Sequence, residues 1–291
     1  MLIIAKEINT HMPEALRVGR ISYLNILPIF AALREISTSA VYTLVESYPS
    51  ALNRMLREGE LDISPSSSIE YLRDRDSYRY IEGHSISSRG AIRSILLFSR
   101  LPVEDLSGAE IMSTHQSETS IALLRIILRR FYGHDCSLRV TEMPLADAIR
   151  RHSAYLSIGD EALMAFGRAR VLDMRPPPNC QAVCSIDHQV FYVYDIGSLW
   201  HFHTGLPAVF ALWTYRADLS GEKQALIESF GRDLSLARDH AVSHLDAIAD
   251  ESEISIPADE AAEYWRGIIY DLPEDCREGL ELFGRYLAED P

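Results

Sequence analysis

The sequence predicts an α/β protein of two lobes with a central cleft and a helical C-terminal tail. Three observations carry this. Short apolar runs alternate with helix-period segments twice over, to about residue 99 and again from 101 to about 194. Two buried-type apolar runs, Ile95-Leu-Leu-Phe98 and Gly205-Leu-Pro-Ala-Val-Phe-Ala-Leu-Trp213, bracket the second unit, so the chain is expected to enter a second lobe after the first run and return by the second. Everything after that return reads as helix. The expected division is residues 1–99 for the first part of lobe 1, 100–205 for lobe 2, and 206–291 for the return strand and the helices completing lobe 1.

Taken in order, a strand over 16–21 leads through Ser22-Tyr-Leu-Asn25 to a helix from about Pro28, where proline suits a first turn. A strand over 41–45 and a helix over 49–57 follow, the helix ended by Gly59. A short buried strand over 61–64 ends in a polar turn, with a helix opening near Ser68 and running on through 72–80. Strands over 81–88 and 92–99 come next; Ser85-Ile-Ser-Ser88 reads either as a solvated edge or as a wall of the cleft. The second unit has strands over 109–112, 138–143 and 154–158, with helices from about Thr119 and over 145–152. The sheets are expected to be largely parallel. A surface loop at Pro176-Pro-Pro178 precedes strand residues 191–194, and tail helices are expected over 222–250, 259–272 and 275–288.

At 291 residues and 47% hydrophobic content the chain can build full cores. Its net charge of −14 argues against nucleic acid, which needs a basic surface. Any anionic ligand must then be held by local dipoles and a few cations, since the field of the whole protein repels it. No stretch approaches the ~20 apolar residues of a membrane span, and residues 1–16 lack a secretory pattern, so no membrane partner and a cytoplasmic location are expected. Four cysteines at irregular spacing fit reduced thiols there. Cys180, Cys184 and His188 have zinc-like gaps but no fourth ligand follows, and His201 with His203 is a weaker pattern, so no metal is expected.

The candidate site residues lie where strands give way to helices. In Gly59-Glu-Leu-Asp-Ile-Ser-Pro-Ser-Ser-Ser-Ile-Glu-Tyr71, Ser66, Ser67 and Ser68 either cap the helix or add hydroxyls to an anion seat made by its first amides. A similar opening recurs at Ser117, Thr119 and Ser120. Two such seats facing each other across a cleft describe a small molecule with two carboxylates. Asn25 is either a turn residue or a neutral ligand-binding side chain with both a donor and an acceptor. Asp160, after Gly159, either caps its helix or serves a ligand as hydrogen-bond partner, acid or base.

Six blocks then carry a resemblance: Gly19-Arg-Ile-Ser-Tyr-Leu-Asn25, the stretch 59–71, Ser85-Ile-Ser-Ser-x-Gly90, Ser94-Ile-Leu-Leu-Phe-Ser-Arg100, Ile158-Gly-Asp-Glu-Ala-Leu163 and Thr204-Gly-Leu-Pro-x-Val-Phe-Ala-Leu-Trp213. In this order, over about 17–216, they resemble the chorismate dehydratase family of the futalosine route to menaquinone. The chain departs at Ile26, where the family often has Thr, at Ser66, where a branched apolar residue is usual, and in a longer segment over 166–194. The resemblance implies a two-lobed type II periplasmic-binding-protein-like fold working as a cytoplasmic enzyme. It implies a lyase that needs no cofactor and removes water from chorismate, a dicarboxylate, to give 3-[(1-carboxyvinyl)oxy]benzoate. On that reading Ser67, Ser68, Ser88, Ser117, Thr119 and Ser120 bind carboxylates, and Asn25 contacts the reacting ring or its hydroxyl. Asp160 is the candidate base, yet a carboxylate beside a dianion is costly, which favours the enolpyruvyl carboxylate of the substrate itself. The rival functions are dihydroxynaphthoate synthase of the same pathway and a non-catalytic small-anion binding protein.

Overall fold

The short apolar runs, rich in Val, Ile and aromatic residues, pair as strands of two sheets, and the helix-period segments cover them. The structure is a computed structural model and describes residues 15–36, 41–114 and 118–289. The first unit runs β1 (Leu16–Ile21), a 3-10 turn at Leu24–Ile26, α1 (Leu27–Glu35), β2 (Tyr42–Ser47), α2 (Pro49–Arg57), β3 (Ile63–Ser67), α3 (Ser68–Arg73) and β4 (Tyr78–Ser88). The second comprises β5 (Ile95–Ser99), β6 (Glu110–Thr114), α4 (Glu118–Ile126) running into a π-helical turn, β7 (Ser137–Thr141), α5 (Leu145–Arg151), β8 (Ala154–Ile158), α6 (Asp160–Arg168), β9 (Arg170–Val171), β10 (Ala182–Ile186), β11 (Gln189–Asp195) and α7 (Ile196–Thr204). The chain returns by β12 (Ala208–Arg216) and ends in α8 (Gly221–Ser243), α9 (Leu245–Glu251), α10 (Ala258–Arg266) and α11 (Glu274–Glu289).

One sheet has the order β2-β1-β3-β12-β4 and the other β7-β6-β8-β5-β11-β10-β9. Around β1 and β6 the strands are parallel. Where the chain crosses between sheets, β12 lies antiparallel to β3 and β4, and β5 antiparallel to β8 and β11. The sheets are therefore mixed, where largely parallel ones were expected. The strand Ile95–Ser99 belongs to the seven-stranded sheet, so the first crossing falls between Ser88 and Ile95 and not at 99/100. An apolar strand buried on both faces reads alike in either sheet, which is why its sequence did not place it.

Three other elements differ from expectation. The helix opened at Ser68 stops at Arg73, where the Asp74 carboxylate accepts from the Ser77 amide at 3.1 Å and turns the chain into β4. The helix expected over 259–272 ends at Arg266, and the following residues are extended along β4: the Ser87 and Ile269 amides exchange bonds of 3.0 and 2.8 Å, and the Ser85 amide donates to Tyr270 O at 3.0 Å. That strip covers what would be an open sheet edge. The long segment 166–194 forms the antiparallel β9-β10-β11 margin; its hairpin turns at Asp187 and His188, both at positive φ (48° and 64°), as a two-residue turn of this twist requires. His188 is thus a turn residue, Cys180 and Cys184 are buried in the margin, and no metal-holding cluster of His, Cys, Asp or Glu exists among the described residues.

The tail helices pack on both units. Helix α8 packs along α1, and α11 lies on β12 and α3 while also touching α4.

Candidate active site

Between the sheets lies a narrow cavity, with about 50 Å³ open to the centres of water molecules. Ile86, Ile92, Ile95, Ile158 and Phe210 give it apolar walls, and Tyr23, Asn25, Ser67, Ser94 and Ser120 bring polar groups to it. None of the described residues lining it carries a formal charge. An anion here would be held by neutral donors in an apolar surround, where each hydrogen bond is stronger than in water.

Asn25 sits in the 3-10 turn between β1 and α1, and the tail holds that turn by its backbone. Trp265 Nε1 donates to Leu24 O at 2.7 Å and the Tyr270 hydroxyl donates to Asn25 O at 2.8 Å. With its main chain occupied in this way, the Asn25 side chain faces the cavity, and its Oδ1 is buried without a hydrogen-bond partner among the described residues. A buried orphan acceptor costs roughly 1–3 kcal/mol. A ligand hydroxyl donating to it would remove that cost.

The other sequence candidates divide. Ser67 ends β3, does not cap α3, and lines the cavity; Ser120, in the first turn of α4, lines it from the other unit. Ser68 and Thr119 do not form its wall. The Ser68 hydroxyl donates to Val209 O at 2.6 Å, the Ile69 amide donates to Thr119 Oγ1 at 3.2 Å, and the two hydroxyls stand 3.4 Å apart. They clasp α3 to α4, an arrangement reinforced by the Arg73–Glu118 ion pair. Ser88 also turns from the cavity, donating to Gly90 O at 2.8 Å where the chain crosses between sheets. Ser85 and Ser87 share a 2.7 Å bond, and Ser85 reaches Asp271 O at 2.5 Å, so of this strand it is Ile86 that lines the cavity. Ser66 is fully buried on the strand face opposite Ser67. Ser117 lies outside the described residues.

Asp160 opens α6 without capping it. Its Oδ1 instead accepts from the Leu24 amide at 3.0 Å, joining the two units beside Asn25. Burial pushes its carboxyl pKa up, opposed by that amide. Gly159, at φ +74°, brings its backbone against the Tyr23 ring, 3.3 Å from where a Cβ would stand. Burial, and next the charge of Asp160, drive the Tyr23 phenol well above its ordinary pKa, so it stays protonated.

Sequence reasoning missed Tyr23 and Ser94 as polar wall residues. Ser94 stands after Arg93, a non-glycine residue at φ +65°, and the turn is fixed by the fully buried Asp195: its Oδ1 accepts from the amides of Ile92 (3.1 Å) and Ser198 (2.9 Å), its Oδ2 from that of Arg93 (2.6 Å). Burial, opposed by these amides, pushes the Asp195 carboxyl up to about 6.

A roomier hollow of about 680 Å³ lies elsewhere, ringed by Arg57, Glu70, Arg73, Arg216 and Asp218. Its arginines are already paired, Arg57 with Glu70, Arg73 with Glu118 and Arg216 with Asp218, so it offers an anion little.

Proteins of known structure share this arrangement. An Archaeoglobus fulgidus protein of known structure superposes with a TM-score of 0.73 at 17% identity, covering 96% of this chain and 98% of that one. The periplasmic aliphatic sulphonate binding protein SsuA from Escherichia coli superposes at 0.60 with 14% identity, covering 96% and 93%. At those identities the likeness concerns the fold, which is that of periplasmic binding proteins. A chorismate dehydratase of Thermus thermophilus is 29% identical over 274 residues, 93% of this chain and 94% of that protein. A family model described as menaquinone biosynthesis matches residues 16–289. The cavity with its buried Asn25 Oδ1 is therefore that of a member of the menaquinone-biosynthesis family, to which this chain belongs.

Proposed function

We propose that the chain is a chorismate dehydratase, a hydro-lyase that converts chorismate to 3-[(1-carboxyvinyl)oxy]benzoate without a cofactor. The observation that carries this reading is the buried Asn25 Oδ1, without a hydrogen-bond partner among the described residues, in a cavity whose described lining is uncharged and has hydroxyls on both sides. The C4 hydroxyl of chorismate is a donor that this acceptor fits. Ser67 on one unit and Ser120 on the other supply donors for carboxylates.

The chemistry asks little of the protein beyond pose and charge stabilisation. The ring carboxylate acidifies the C3 hydrogen through the diene; removal of that proton and departure of the C4 hydroxyl as water leave an aromatic ring. Neutral donors aimed at the ring carboxylate favour the charge that grows there, each worth about 3 kcal/mol when well placed. Asp160 is occupied by the Leu24 amide, and its burial disfavours charge. The enolpyruvyl carboxylate, tethered through oxygen to C3, takes the proton and passes it to the departing C4 hydroxyl, which leaves as water, and Asn25 and the serines hold the arm in that geometry. Dianionic substrate and an ionised base would otherwise share one apolar space. Ser68, Ser88 and Thr119 act indirectly, by holding the walls.

Incubating the purified protein with chorismate, and resolving products by chromatography and mass, tests this. A species lighter by one water with a benzoate spectrum is expected. Unchanged chorismate would overturn the reading, and the cyclic futalosine substrate of the same pathway would be tried next.

A further inference from the structure

Resting on the chorismate reading, we propose that Tyr264, from the helical tail, is a positioning residue that aims the Ser94 hydroxyl proton into the cavity. Tyr264 stands near the end of α10, 2% exposed, and its hydroxyl donates to Ser94 Oγ at 2.8 Å. A serine hydroxyl has one proton to give and two lone pairs to accept with. Tyr264 occupies the accepting side. Among the described residues, the acceptor within reach of Ser94's own proton is Ile92 O at 3.5 Å, too long to hold it well. The proton is therefore available to a carboxylate oxygen in the cavity that Ser94 lines.

The serine main chain is pinned independently of this bond. Ser94 O accepts from the Gly159 amide at 2.7 Å, and Asp195 holds the amides of the two preceding residues. What Tyr264 adds is the direction of one rotor. Burial keeps its phenol protonated far above the ordinary value, so it remains a donor throughout the pH range in which an enzyme works. The same stretch supplies Trp265 and Tyr270 to the Asn25 turn, so residues 264–270 hold both polar corners of the cavity.

A double-mutant cycle reads the pair directly. Tyr264→Phe keeps the ring and removes the donor; Ser94→Ala removes the hydroxyl it aims. Tyr264→Phe is expected to lower kcat about tenfold with KM little changed, because a mis-aimed donor matters most as charge grows on the ring. Ser94→Ala is expected to lower kcat ~100-fold, the scale of one lost oxyanion donor. Adding Tyr264→Phe to Ser94→Ala should then cost nothing further. A Tyr264→Phe enzyme with wild-type kcat, or losses that multiply in the double variant, would overturn the inference and leave the chorismate reading standing. Wild-type protein that does not dehydrate chorismate would overturn both. If Tyr264→Phe fails to fold, a crystal structure of the wild type with 3-[(1-carboxyvinyl)oxy]benzoate decides: Ser94 Oγ bonded at once to Tyr264 and to a ligand carboxylate supports the inference, and Ser94 turned from the ligand overturns it.

Discussion

Replacing Asp160 by Asn separates its charge from its hydrogen bond. In the native chain Asp160 Oδ1 accepts from the Leu24 amide at 3.0 Å, and an Asn carbonyl oxygen can accept the same bond. If the carboxylate serves only to hold the Asn25 turn, Asp160→Asn should keep kcat and KM within about fivefold of wild type, a change of ~1 kcal/mol. Asp160→Ala leaves the buried Leu24 amide without its partner. That costs roughly 1–3 kcal/mol, and if the cost falls on the turn it lowers kcat/KM by roughly 5- to 150-fold. A general base would behave differently, since its loss removes about 10²–10⁴ in rate whatever the hydrogen bond does. The assay is steady-state formation of the benzoate chromophore, with circular dichroism and urea midpoints to confirm folding. A fall in kcat of ~100-fold or more in Asp160→Asn, with KM unchanged, would refute the substrate-base reasoning and make Asp160 the base.

Two further perturbations test the surroundings. Gly159→Ala places a Cβ 3.3 Å from the Tyr23 ring at φ +74°, a conformation that costs a side chain roughly 1–3 kcal/mol; lower thermal stability together with a raised KM is expected, and an unchanged KM would show that Tyr23 does not shape the cavity. Asp195 has a folded-state pKa raised from 3.8 to about 6, so the native state binds its proton more tightly than the unfolded chain does. Stability from this group is accordingly complete below pH 3.8 and falls as pH rises to about 6, by roughly 3 kcal/mol. Asp195→Asn should abolish that fall, so the wild-type-minus-variant difference in urea-derived stability declines between pH 4 and 6; a difference flat across that window would contradict the buried-charge account.

The parts of the site readable from sequence were those whose chemistry is local. Asn25, Ser67 and Ser120 are polar residues at strand-to-helix turns, and all three reach the cavity. Ser68 and Thr119 carry the same local signature, yet they find each other across the units, and their use depends on a contact 51 residues apart in sequence. Ser94 begins an apolar strand and its direction depends on Arg93 adopting a left-handed conformation, which a residue other than glycine does not advertise. Tyr264, Trp265 and Tyr270 are read as the interior of an amphipathic tail, and their polar atoms gain meaning only once the tail lies against the Asn25 and Ser94 turns. The alternation of strands and helices was legible in both units but not the early ends of the helices at Arg73 and Arg266; nor was the sheet to which β5 belongs, because Ile95-Leu-Leu-Phe98 is apolar on both faces.

The most direct test follows chorismate by proton NMR with the wild type and with Asn25→Leu, a change that keeps side-chain volume and removes the amide. The account predicts that the wild type consumes the ring C3–H signal and produces the aromatic pattern of a 3-substituted benzoate, and that Asn25→Leu remains folded but does so at least ~100-fold more slowly. Chorismate left intact by the wild type, or converted by Asn25→Leu at the wild-type rate, would contradict it.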